Sequence, residues 1–224
     1  MQNAIIDPNQ GEVFPTTTEG VAPAIIRRCR DDERATILAI IQAAAEAYRG
    51  VIPDDCWHEP YMTLRELDGE IAAGVEFRGY EMDGALVGVM GVQAVRDVDL
   101  IRHAYVLPGQ QGRGIGAELI THLRRQSARR MLVGTWSAAD WAIRFYQRHG
   151  FEPVPAAQAP KLLRAYWNIS ERQIETSVVL ADVQPIPAGT PTRFPHSARC
   201  GCGPDGGSGG PPSGSGRGSC RRCA

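Results

Sequence analysis

The sequence predicts an α/β fold built on one mainly antiparallel sheet, and three observations carry that reading. Strand-like and helix-like segments are interspersed along the chain rather than separated into blocks. Asp83-Gly84 lies between two strand-like runs, Phe77 to Met82 and Ala85 to Val95, which is a strong hairpin signal. The stretch from Leu100 to Arg125 then runs from strand through a glycine-rich turn into a helix.

Taken in order, residues 1–23 are polar and read as a flexible N-terminal arm. Ala24 to Arg28 is a first strand. Asp31 or Asp32 caps a helix whose stripe is Ile37, Leu38, Ile41 and Ala45, ending near Arg49-Gly50. Pro53 and Pro60 break the next stretch, and a second helix runs from Thr63 to Ala73. Gly88 and Gly91 inside the second hairpin strand point to a bulge. After the central helix come a short strand, Met131 to Trp136, a helix capped by Asp140, a strand from Phe151 to Val154 behind the Gly150 C-cap, a helical segment around Leu162 to Trp167, and a last strand, Ser177 to Leu180.

The chain has 224 residues, of which 43% are hydrophobic, and a formal charge of −1. That is enough to bury one good-sized core, so one domain over 24–182 is expected. From 183 to 224 the composition becomes Gly, Pro, Ser and Arg. Such a tail cannot offset its ordering entropy by burial and is expected to be disordered. It carries Cys200, Cys202, Cys220 and Cys223, whose C-x-C spacing is short for a zinc knuckle, so no metal is expected. Near-neutral charge gives no support for a nucleic-acid or membrane partner. No apolar run is long enough for a membrane span, and the first ten residues lack the pattern of a signal peptide, which makes a cytoplasmic location the default expectation.

The chemistry concentrates at the central turn. A helix start leaves backbone N–H groups without intrahelical partners and carries partial positive charge. Gly112, Gly114 and Gly116 would let a diphosphate approach those amides, with Gln111 and Arg113 as flanking donors. Gly112, Gly114 and Ala117 also fit the relaxed dinucleotide fingerprint, and Asp140 follows the next strand. Against that, Pro108 and three further residues separate strand from first glycine, and several strands precede it. A nucleotide-triphosphate loop is excluded because no Gly-Lys-Ser/Thr follows.

At Gln111, Gly114 and Gly116 the sequence resembles the GNAT superfamily of N-acetyltransferases, whose coenzyme loop is Q/R-x-x-G-x-G/A. A second family element, A-x-x-x-Y-x-x-x-G-F, appears as Ala142, Tyr146, Gly150 and Phe151. The resemblance covers roughly Ala24 to Asp182. It implies the GNAT-like acyl-CoA N-acyltransferase fold, a mixed and mainly antiparallel twisted sheet flanked by helices on both faces, with acetyl-CoA as co-substrate. It also implies a direct attack in a ternary complex by a primary amine of a small molecule or peptide, and it is compatible with a homodimer.

By the same resemblance the cofactor is held by Ala104, Tyr105, Val106, Gln111, Gly112, Arg113, Gly114, Ile115, Gly116 and Ala117. The N–H of Ala104 would face the thioester oxygen, and Tyr146 would protonate the departing thiolate. Trp57, His58 and Tyr61 stand in the region that borders the family's acceptor pocket; packing in the core is the competing reading for the two aromatics. The glutamate that histone-type members use as base is replaced by Leu100. Glu81 on the hairpin is taken as the candidate base, with Asp99 and His103 or solvent as alternatives. By numbering, Asp99 and His103 fall on the strand face opposite Ala104 and Val106. A non-catalytic acyl-CoA-binding module and a dinucleotide-dependent oxidoreductase are the rival readings.

Overall fold

The computed structural model describes residues 23–183. The expected arm, and the tail with its four cysteines, lie outside the described residues apart from one residue at each edge.

Seven strands form one sheet: β1 (Ile25–Arg28), β2 (Val75–Met82), β3 (Ala85–Val95), β4 (Val98–Val106), β5 (Arg130–Trp136), β6 (Phe151–Pro153) and β7 (Ser177–Asp182), in the order β1-β2-β3-β4-β5-β7-β6. Every neighbouring pair is antiparallel except β4 and β5. That parallel pair needs a crossover, and α3 (Ile115–Gln126) supplies it. The other helices are α1 (Arg34–Ala45), α2 (Leu64–Ala72), α4 (Asp140–Arg148), α5 (Ala159–Tyr166) and the short α6 (Glu171–Glu175).

Local chemistry accounts for some element boundaries and not others. Asp83 and Gly84 both have positive φ, the geometry of a two-residue turn whose twist matches its strands. Thr63 caps α2 and closes a reciprocal box with Glu66. Asp140 does not cap α4; Ala139 occupies that position, and Asp140 is the first helical residue, 3.8 Å from Arg144 one turn on.

Each sheet face has its own core. Leu119, Ile120 and Leu123 of α3 and Tyr146 of α4 pack with Met90, Ile101 and Val133 on one face. On the other, Ile37, Ile40 and Ile41 of α1 and Leu67 of α2 pack with Val75, Phe77 and Val89. Trp167, just beyond α5, extends that second layer over Leu100 and Leu132. No described helix is long and apolar enough to cross a membrane.

Two irregularities shape the centre. The register of β3 and β4 slips between Val89 and Gly91, leaving His103 and Ala104 without partners on β3, and His103 takes φ +51°. A Cβ on Gly91 would stand 2.9 Å from the Arg102 carbonyl oxygen, so the expected bulge also requires a residue without a side chain. A bulge shifts strand parity by one. Ala104 and Val106 therefore share the face of Ile101, and the expectation that Asp99 faces away from them is corrected. Asp99 is buried and accepts a hydrogen bond from Ser127 Oγ at 2.6 Å. His103 and Arg102 turn together toward α2.

The second irregularity is a split. Parallel pairing runs from Val98↔Arg130 to Ile101↔Val133 and stops there, although β4 continues to Val106 and β5 to Trp136.

Candidate functional site

Two cavities open at that split. One, of about 620 Å³, lies between the start of α3, the inner face of α4 and the end of β4. The other, of about 210 Å³, lies between β4, β5 and the end of α5. Both reach Tyr48, Ala104, Tyr105 and Tyr146, so they meet where the two strands part.

The larger cavity is roofed by the glycine turn. Gly112 has φ +77° and Gly114 φ +85°. These are left-handed conformations that side chains disfavour. A Cβ on either residue would meet nothing within 4 Å. These two glycines thus permit the backbone path and leave open space above it. Gly116 does something else. A Cβ there would come within 3.2 Å of the Phe145 ring, so its missing side chain seats α4 against α3 instead of admitting a phosphate. Gly114 is the N-cap of α3 and no side chain caps the helix, so the first-turn amides are left facing the cavity. The Ile115 side chain is core, and only its backbone serves the turn. Gln111 Nε2 donates to the Val106 carbonyl at 3.1 Å, pinning the loop to β4. Arg113 is bonded to Gln110 and does not line the cavity. Arg148 and His149, at the end of α4, do line it, and no local motif marked them.

Tyr146 stands at the junction. It is 6% exposed and packs edge-on against Phe151 and Phe145. Burial, and secondarily the neighbouring Tyr48, hold its phenol far above the ordinary tyrosine range. Burial likewise lifts Tyr48 to about 12 and Tyr105 well above normal, Tyr61 adding to both. All three phenols are neutral donors at physiological pH. Tyr105 lines both cavities and packs with the α1 core, and its hydroxyl lies 3.3 Å from that of Tyr61.

Glu81 is not brought to the split. It lines neither cavity and accepts a 2.6 Å hydrogen bond from Arg27 Nε, in a cluster with Glu33 at the β1 edge. The reason is positional: Glu81 pairs with Ile25 at the outer strand, three strands from β5. Asp99 is committed to Ser127. His103 does line the smaller cavity. Its ring stacks on Phe77, and Nε2, buried and without a hydrogen-bond partner among the described residues, lies 3.5 Å from Glu70. Burial pushes the Glu70 carboxyl up, but His103 and Arg102 outweigh it and leave that carboxyl below the usual range. Of the acceptor-side aromatics, Tyr61 lines the cavity, whereas Trp57 stacks under Arg49 and neither Trp57 nor His58 is in the lining. Tyr48, Trp136 and Trp167 line it without any local sequence signal.

Comparison with known proteins bears on the family and the fold. The model of the acetyltransferase (GNAT) domain matches residues 74–153, which contain the glycine turn, the split and Tyr146. The chain is similar to the PaiA N-acetyltransferase from Thermoplasma acidophilum, solved in complex with coenzyme A, at 14% identity and TM-score 0.55 over 71% of this chain and 98% of that one. It is also similar to a GNAT-family acetyltransferase from Staphylococcus aureus, at 14% identity and TM-score 0.54 over 71% and 98%. The ribosomal-protein-S18-alanine N-acetyltransferase from Escherichia coli matches at 15% identity and TM-score 0.52, over 77% and 99%. At these identities the likeness to solved structures is one of fold.

Proposed function

We propose, from the premise that this chain belongs to the GNAT acetyltransferases through its residues 74–153, that it is an acetyl-CoA-dependent N-acetyltransferase acting by direct attack in a ternary complex. The observation that carries the reading is the meeting of two cavities from opposite sides of the split at Ala104 and Tyr146. A coenzyme held on one side presents its thioester to an amine held on the other.

In this reading the diphosphate lies on the amides of Gly112, Gly114, Ile115, Gly116 and Ala117, where unpartnered N–H groups and the helix dipole favour negative charge. The pantetheine arm runs along Val106 and Tyr105 into the split, taking the position that a strand partner would have held. The Ala104 N–H, on a stretch of β4 without a register partner, faces the thioester oxygen and stabilises the charge that develops there. The amine nitrogen attacks the carbonyl carbon, an N–C bond forms, and collapse of the tetrahedral intermediate breaks the C–S bond. Amide and coenzyme thiolate leave this step, and the thiolate takes its proton from water as the coenzyme departs.

Two protons must move. The one lost by the amine goes to His103, the imidazole in the lining of the acceptor cavity, stacked on Phe77 with Glu70 3.5 Å from its Nε2. The thiolate is met by the Tyr146 hydroxyl. A phenol held far above its ordinary pKa does not readily surrender its proton to a thiolate of pKa about 8.5, so Tyr146 acts chiefly as a hydrogen-bond donor to the leaving sulfur.

The test is calorimetric binding of coenzyme A together with thiol release from acetyl-CoA across a panel of amines. Tight coenzyme binding and amine-dependent release are expected. Coenzyme binding with no release on any amine would favour a non-catalytic acyl-CoA-binding module.

A further inference from the structure

The smaller cavity has a composition that speaks to its occupant. Trp167 follows the end of α5, where its backbone N–H bonds the Leu163 carbonyl, and its indole is carried onto β5 at Gly134. A Cβ on Gly134 would lie 3.4 Å from the indole, and Gly134 is the residue directly after the last β4–β5 pair. The indole therefore lies in van der Waals reach of β5 at the split and forms one wall of the cavity there. Trp136, Tyr48, Tyr61 and Tyr105 supply further walls. The rings of Tyr48 and Tyr61 lie parallel within 8°, and the Tyr61 and Tyr105 hydroxyls are 3.3 Å apart.

Charge is arranged as tellingly as surface. Among the lining residues there is no carboxylate. Arg102 is in the lining, but its guanidinium is already engaged by both Glu70 oxygens, at 2.7 and 2.6 Å, and by Gln93 at 2.8 Å. It is not free to grip an acid on an incoming molecule. The space, of about 210 Å³, is also small. Drug-sized sites begin at roughly 300 Å³.

From these observations we infer that the cavity is built for a small primary amine carried on a flat aromatic body and lacking a carboxylate. The inference rests on reading this cavity as the acceptor site of an acetyltransferase. Ring faces attract an ammonium group electrostatically while stacking on an aromatic body. Partial burial among these rings, beside the Arg102 guanidinium, also disfavours the charged form of a bound amine, which moves it toward the neutral nucleophile that transfer requires. A carboxylate on the same molecule would be desolvated beside an Arg102 already engaged by Glu70 and Gln93 and a His103 that faces Glu70, so neither group is set to pair with it. A flexible aliphatic diamine would bring a second ammonium into a site that holds no acid.

The experiment titrates phenylethylamine, phenylalanine and the aliphatic diamine putrescine into the full chain saturated with coenzyme A, by calorimetry. Phenylethylamine is expected to bind at least tenfold more tightly than either comparator. Trp167→Leu should weaken it at least fivefold while coenzyme affinity stays unchanged, and Trp136→Leu serves as the second variant should the first not fold. Equal or tighter binding of phenylalanine or putrescine, no binding of phenylethylamine, or indifference to the wall substitutions would overturn the inference. Binding of phenylethylamine without thiol release from acetyl-CoA would support this occupant and sink the acetyl-transfer reading instead, so the two failures are separable.

Discussion

A Cβ added to Gly116 would stand 3.2 Å from two carbons of the Phe145 ring, which makes this glycine a point of close approach between α3 and α4 beside the larger cavity. The contact sets how close α4, and with it Tyr146, comes to the end of β4.

Gly116→Ala should therefore cost stability by crowding, about 1–3 kcal/mol. Phe145→Leu in the same chain should recover much of that loss. Chemical denaturation of the double-mutant cycle checks the coupling, and additive effects of the two substitutions would show that the pair does not communicate.

Gly114→Val tests the turn differently. The residue has φ +85°, and the new methyls would enter space that the diphosphate is proposed to take. A side chain in that left-handed conformation costs about 1–2 kcal/mol. Coenzyme affinity should fall at least tenfold, while Tm drops only a few degrees. Calorimetry and thermal melts measure the two separately, and an unaltered Kd would contradict the phosphate assignment.

Tyr146→Phe keeps the edge-on packing with Phe145 and Phe151 and removes only the hydroxyl. The expected result is a kcat lower by roughly 10- to 100-fold with KM for acetyl-CoA little changed, a partial loss because the thiolate is already a fair leaving group. Activity equal to wild type would remove the hydroxyl from the chemistry.

His103→Gln should lower kcat by on the order of 100-fold, and Glu81→Gln by less than about twofold, since Glu81 is bonded to Arg27 and remote from the split. Steady-state rates on one amine decide between them. A larger loss at Glu81 would return the base to the hairpin.

Acid stability should depend on Glu33. Hydrogen bonds from Arg27, opposed by burial, depress its carboxyl from 4.5 to about 2. A depressed carboxylate binds its proton more readily in the unfolded chain, so its contribution is complete above about pH 4.5 and is lost as pH falls toward 2. Denaturation midpoints for wild type and Glu33→Gln should converge as pH drops through that window, and a constant gap would refute the linkage.

What could be read without coordinates was whatever depends on near neighbours in the chain. The Asp83-Gly84 hairpin, the start of the second helix at Thr63 and the turn from Gln111 to Gly116 each follow from the φ preferences and hydrogen-bonding reach of a few consecutive residues, and the sheet class followed from their order. The centre of the site depends on residues far apart in sequence. Bulge-driven parity at His103 depends on Gly91 and Arg102 meeting across two strands, and the split depends on β5 parting from β4 after Val133. The withdrawal of Glu81 follows from Arg27, 54 positions away, and the wall made by Trp167 from its packing on β5 at Gly134, 33 positions before it. Periodicity and turn chemistry are local quantities; which side chain meets which across a sheet is set by packing that no short window of sequence contains.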